Sequence, residues 1–201
     1  MGTLNTTIAA KLLYESSLSI FPIKALRDIL EISSSDTFYL YLRKLTQLGI
    51  LTKLERGTYI LAHRPPDVFL IANVLHRPSY VSFESALNRH GMLSQFPYEI
   101  TSATPGKTTG KTVGARIYSY THIQPSLFWG YEKVSEALIA LPEKALLDQA
   151  YLASRGLRQF PLDEYDLSAV NKGRLASYMK RMPNTAQMRA IRFKIKREVF
   201  P

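Results

Sequence analysis

The chain has 201 residues and no cysteine. That absence excludes disulfide staples, thiolate metal sites and cysteine nucleophiles together, and it argues against a small secreted scaffold; a reducing cytoplasm fits. No apolar run is long enough to span a bilayer, and residues 1–11 lack the basic-then-apolar order and small-residue cleavage site of a signal peptide. A cytoplasmic protein without a membrane partner is expected. The histidines, His63, His76, His90 and His122, are scattered with no pair at helical ligand spacing, which argues against zinc. No serine stands in Gly-x-Ser-x-Gly. Neither a cofactor nor a metal is expected, and nothing so far supports an enzyme.

What is present is enough apolar material for a core, 46% of residues, and an uneven charge. Residues 1–62 hold 7 Lys or Arg against 5 Asp or Glu, residues 63–170 hold 10 against 10, and residues 171–201 hold 9 against 1. Most of the net +10 therefore sits in the last segment. Charge gathered in one stretch makes a local field that favours a polyanion, although a solvated basic helix face gives the same count.

"TPGKTTGKTV", residues 104–113, carries Gly-Lys-Thr twice and raises the question of a phosphate-binding loop. That loop needs four residues between its glycines and a helix after it. Gly106 and Gly110 are separated by three, and "VGARIYSYTHI" that follows alternates as a strand does. Residues 106–110 are read instead as a hairpin loop with solvated Lys107 and Lys111, which together with Arg116 are candidates to touch nucleic acid or an acidic partner. In "ALPEKALLDQAYLASRG", Pro142 opens a helix with Glu143 in its first turn, and Lys144 and Asp148 are spaced as an ion pair. Glu143 and Asp148 lie about 140° apart around a helix and do not converge on one ion, so structural roles are expected and a nuclease reading has little to stand on.

The first 62 residues read as three helices and a hairpin. Thr6 or Thr7 is positioned to cap a helix with Ile8, Ala9, Leu12 and Leu13 at helical spacing. A second helix starts near Pro22 and turns Ala25, Leu26, Ile29 and Leu30 inward, with Lys24, Arg27, Asp28 and Glu31 outward. Ser33 to Ser35 offer caps for a third helix whose apolar stripe is Phe38, Leu42, Leu45 and Leu48, stopped by Gly49. Its other face carries Asp36, Tyr39, Leu40, Arg43 and Gln47, with Lys44 at the edge. "LTKLERGTYIL" then alternates about Glu55-Arg56-Gly57, a two-stranded wing with Lys53 and Arg56 at its tip. Helix, turn, helix, hairpin is the order of a winged helix-turn-helix, in which the later helix enters the major groove. "AHRPPD" then marks a boundary, since two prolines resist helix and sheet interiors alike. Beyond it, residues 67–201 form a second, mixed α+β domain. There "YVSFESALNRHGM" reads as a helix capped by Ser82, with Phe83, Ala86 and Leu87 inward and Gly91 as its stop.

"LRKLTQLGILTKLERGTYIL", "SYVSFESALNRHGM", "YEITSATPGKTTGKTVGARIYSYTHI", "LFWGY" and "ALPEKALLDQAYL", in this order and covering most of the chain, resemble the AbiEi family. These are the antitoxin and transcriptional-regulator half of prokaryotic abortive-infection toxin-antitoxin operons, a phage-defence system. The resemblance implies an α+β protein: a winged helix that represses its own promoter at inverted repeats, as a dimer on double-stranded DNA, joined to an antitoxin domain. That domain opposes a nucleotidyltransferase-like toxin, in the family often without a stable complex. Carried onto this sequence, base reading falls to Ser34, Ser35, Asp36, Tyr39 and Arg43, and phosphate contact to Lys44, Lys53, Arg56 and Thr58. Two departures stand out: the chain ends soon after its basic segment, and Leu40 is apolar on the face assigned to DNA, where it suits a thymine methyl or a protein partner.

The basic segment has Leu175, Tyr178, Met179 and Met182 at helical spacing, a break at Pro183, and a second helical stretch. Lys180, Arg181, Arg192, Lys194 and Lys196 suit either a DNA backbone or an acidic protein surface. A membrane-surface role ranks last because aromatic anchors are few. The alternative from another class is a protein-interaction module or stand-alone regulator, favoured by the near-neutral first 62 residues.

Overall fold

The computed structural model describes residues 5–95 and 97–200 and divides the chain into two compact units, Met1–Asp67 and Val68–Pro201. The class is mixed α+β, with eight α-helices and two sheets among the described residues. The proline-bearing stretch stays with the first unit, because Arg64 donates to the carbonyls of Tyr14 and Ser16 at 3.0 and 3.3 Å.

In the first unit α1 (Thr6–Glu15) is capped by Asn5, whose side chain accepts from the Thr7 amide at 3.0 Å, one residue earlier than the expected Thr6 or Thr7. Only the Ala9 and Leu13 edge of α1 is buried; Ile8 and Leu12 face out. β1 (Phe21–Pro22) follows and runs directly into α2 (Ile23–Leu30), with Pro22 as N-cap rather than in the first turn. Proline is tolerated there because β1 is an edge strand and a helix N-terminus has no use for its missing N–H.

α3 (Ser35–Gln47) begins at Ser34, whose hydroxyl accepts from the Thr37 amide at 3.4 Å. It ends in a two-bond stop: Gly49, at φ 67°, donates to the Thr46 carbonyl at 3.1 Å and Ile50 to that of Leu45 at 3.0 Å. The buried stripe is Phe38, Tyr41, Leu42 and Leu45. Leu48, expected in that stripe, is 57% exposed because the helix has already ended, and Tyr41 takes its place. β2 (Leu51–Glu55) and β3 (Thr58–Leu61) form the hairpin, and β1 adds to β3, giving the antiparallel order β1-β3-β2. The Ile23 amide donates to the Gly57 carbonyl at 2.9 Å, tying the hairpin turn to α2.

The second unit is built on a six-stranded mixed sheet. Its strands are β4 (Tyr80–Val81), β5 (Glu99–Thr104), β6 (Thr109–Val113), β7 (Arg116–His122), β8 (Tyr131–Val134) and β9 (Ala137–Ala140), in the order β6-β7-β5-β4-β9-β8. β5 runs parallel to β7 and β4 parallel to β9. The loop after Thr104 is therefore not a hairpin loop. It crosses the end of β7 to the sheet edge, and the hairpin there is β6–β7. Its hydrogen bonds explain the path: Thr108 Oγ1 accepts from the His122 amide at 3.0 Å, and His122 Nδ1 donates to the Gly106 carbonyl at 2.8 Å. A strand, not a helix, follows this loop.

The helices of this unit are α4 (Val68–Leu75), α5 (Phe83–Arg89), α6 (Pro142–Ser154), α7 (Lys172–Lys180) and α8 (Ala186–Val199). α6 packs against α5, α7 and α8 and is buried from Glu143 through Leu152. None of the described helices is long and apolar enough to cross a membrane.

Candidate functional site

The exposed face of α3 is the first candidate. Helical spacing puts Asp36, Tyr39, Leu40, Arg43 and Gln47 opposite the buried stripe, and all five are exposed, as is Lys44. Tyr39 and Leu40, adjacent on this face, are 52% and 68% exposed. Lys53 joins this face. Together with Tyr39, Arg43, Gln47 and Tyr59 it lines a shallow groove of about 450 Å³ between α3 and the hairpin. Burial first, and then the neighbouring Tyr39, push the Tyr59 hydroxyl above its ordinary 10.0.

Lys53 is expected at the hairpin tip. It instead lies within β2 opposite Tyr59, with a bulge between it and Glu55, so its side chain reaches the α3 groove rather than the turn. Arg56 does stand exposed at the turn, and Thr58 is half-buried opposite Pro22 and Glu55. Ser34 and Ser35 both have internal partners. Ser34 is the cap, and Ser35 Oγ accepts from Arg27 Nη1 at 3.3 Å. Arg27, read only as an outward residue of α2, also lies 4.7 Å from the Phe38 ring centroid and so pins the start of α3. A lone cation in the last turn of a helix gave no hint of that reach.

The basic residues of the second unit fall into two sets. At the β6 edge Lys107 and Arg116 are exposed, but Lys111 is half-buried and donates to the Leu75 carbonyl, so it is not the solvated lysine expected. Near the C-terminus, Lys180, Arg189, Arg192 and Lys196 line one groove between α7 and α8. Lys194 is exposed outside that lining. Arg181 stands 3.7 Å over the Trp129 ring, and Arg192 donates to Met179 O at 3.1 Å and Asn184 Oδ1 at 2.8 Å.

The interior holds the second unusual feature. Lys144 and Asp148 do pair, as their spacing suggested, yet both are fully buried. Asp148 Oδ2 accepts from the Tyr80 hydroxyl at 2.8 Å and from Ser82 Oγ at 2.7 Å, and Lys144 Nζ donates to Tyr80 at 2.8 Å and to Asp148. Ser82 thus occupies the cap position of α5 without capping it: its hydroxyl donates to the buried carboxylate, and the Ser85 amide that it would accept from donates instead to Thr101 Oγ1 at 3.1 Å. Burial lowers the Lys144 ammonium against the pull of Asp148, and burial with the Asp148 charge raises the Tyr80 phenol. The net charge of the pair is zero and every charged oxygen and the ammonium have partners, the arrangement that makes burial tolerable. Glu143 points elsewhere: Oε1 accepts from the Asn171 amide at 2.7 Å and Oε2 lies 3.7 Å from Arg174, anchoring the start of α7. Among the described residues no group of three or more His, Cys, Asp or Glu is placed to hold a metal ion.

No protein-family model matches the chain, and no curated protein matches it.

Proposed function

We propose that this chain is a non-enzymatic DNA-binding transcriptional repressor whose first unit is a winged helix-turn-helix and whose second acts as an antitoxin. α3 is the helix that enters the major groove, presenting Asp36, Tyr39 and Arg43 to base edges, while Lys44, Lys53 and Arg56 meet phosphates. The observation that carries the reading is the uncovered α3 face, continuous with Lys53 through the groove beside Tyr59. The order α1-β1-α2-α3-β2-β3, with a tight Arg56-Gly57 turn, supports it. With Ser34 and Ser35 held by internal bonds, their part is to fix the start of α3 and offer one remaining hydroxyl donor each. Binding to inverted repeats in its own promoter, as a dimer, and opposition to a nucleotidyltransferase-like toxin follow from the likeness of the quoted segments to AbiEi regulators. Few phosphates are neutralised by one copy, so affinity rests on two copies and on base contacts.

The test is an equilibrium gel-shift titration on the DNA upstream of the chain's own gene. Binding at least about a thousandfold tighter than to random duplex is expected; equal affinity for both contradicts repression. A second reading, a docking module for protein, is favoured by exposed Leu40 beside Tyr39. It predicts partner binding that changes little between low and moderate salt, where DNA binding falls steeply.

A further inference from the structure

We infer that the groove between α7 and α8 is a docking site for an acidic amphipathic helix of a partner protein. On α8, Arg189, Phe193 and Lys196 recur at steps of four and three residues, so they share one side of the helix, and Phe200, just past its end, lines the same groove. The neighbouring stripe, through Met188, Ile195 and Val199, is buried. α7 supplies the other wall with Met179 and Lys180, and the space between holds about 640 Å³. Phe193 is 69% and Phe200 39% exposed, apolar area that nothing in this unit covers.

The charge around that area selects the occupant. The only acidic residue in the last 31 residues is Glu198, which pairs with Arg197 at 3.7 Å on the exposed side. Among the described residues, no carboxylate pairs with Lys180, Arg189, Arg192 or Lys196. Asn184 holds both arginines, accepting from Arg189 on its carbonyl at 3.0 Å and from Arg192 on Oδ1 at 2.8 Å. The guanidinium groups are therefore preplaced, and less side-chain freedom is lost when a carboxylate arrives. A helix about 10 Å across, with apolar residues facing Phe193 and Phe200 and carboxylates facing the rim, satisfies both halves of the surface. A DNA backbone would satisfy the cations and leave the aromatic floor uncompensated. A flat bilayer does not enter a groove walled by two helices. The inference concerns the second unit alone and does not depend on DNA binding by α3.

The experiment uses the whole protein and a fluorescein-labelled helical peptide of about 18 residues, with leucines at three- and four-residue steps and glutamates flanking them. Fluorescence anisotropy should show saturable binding. Phe193→Ala should weaken it about tenfold, and the Lys180→Glu/Lys196→Glu pair should weaken it at least as much. The same peptide with lysines for glutamates should not bind. The substituted side chains are exposed, so circular dichroism spectra of the variants should match the parent. Binding unchanged in both variants, or no saturable binding, overturns the proposal. So does dependence on Phe193 shown by a 20-bp duplex (about two turns) or by phosphatidylglycerol vesicles instead of the peptide.

Discussion

α3 and α6 are both 13 residues long and treat their polar side chains in opposite ways. α3 buries one stripe and leaves Asp36, Arg43, Lys44 and Gln47 to solvent. α6 is buried from Glu143 to Leu152, three ionisable groups included, and pairs each of them within the unit, Lys144 with Asp148 and Glu143 with the Asn171 amide and Arg174. A charge already paired in the interior has nothing left to offer a ligand, whereas a hydrated one on an open face has its full capacity. Binding is therefore argued from α3 and folding from α6, although α6 carries the residues that sequence inspection would first suspect of chemistry.

That contrast breaks most visibly at Asp148. Asp148→Ala leaves Lys144 buried without its counter-charge and should cost about 3–5 kcal/mol in urea unfolding. The Lys144→Met/Asp148→Leu double variant, which removes both charges, should cost much less than the single one. A single-variant loss under about 1 kcal/mol would place α6 among ordinary surface helices after all. On α3 the expectation is reversed. Arg43→Ala should change unfolding by no more than about 0.5 kcal/mol yet remove roughly 1–3 kcal/mol of discrimination between operator and random duplex. Lys53→Ala should weaken all duplexes alike and lower the salt slope by about 1. Titrations of each variant at several salt concentrations check both.

Smaller effects sharpen the comparison. Ser34→Ala removes the α3 cap and should destabilise the first unit by about 1 kcal/mol, read from its thermal transition. The smallest concerns His76, whose Nε2 lies 3.2 Å from Thr104 Oγ1. Burial, and then nearby Lys111, hold its folded-state pKa below the ordinary 6.5. The unfolded chain therefore takes up this proton first, and stability present above pH 6.5 is lost as the pH falls through that value. His76→Gln should flatten this part of the pH dependence of the melting temperature; a steeper dependence in the variant would contradict the sign.

What was legible in the sequence was local. The Ser34 cap, the Gly49 stop, the Arg56-Gly57 turn and the Pro183 break each act through a few neighbouring residues, and so did the four-residue spacing of Lys144 and Asp148. What was not legible needed partners far along the chain. β1 is two residues, one of them proline, and becomes a strand only because β3 lies beside it. The parallel pairing of β5 with β7 turned an expected hairpin loop into a crossover. The β8–β9 hairpin escaped notice because its turn is Ser135-Glu136, at φ 44° and 76°, where Asn-Gly is the usual sign. Spacing announced the Lys144–Asp148 pair but not its burial, since that depends on Tyr80 of β4 and Ser82 at the start of α5 arriving from far along the chain.

The direct test of the open α3 face is a map of backbone amide shifts in the whole protein as upstream duplex is added. The account predicts that the largest changes gather on residues 35–47 and around Lys53 and Arg56, and disappear for the Arg43→Ala variant with random duplex in excess. Changes confined to α1, or to the second unit, with α3 unmoved, would contradict it.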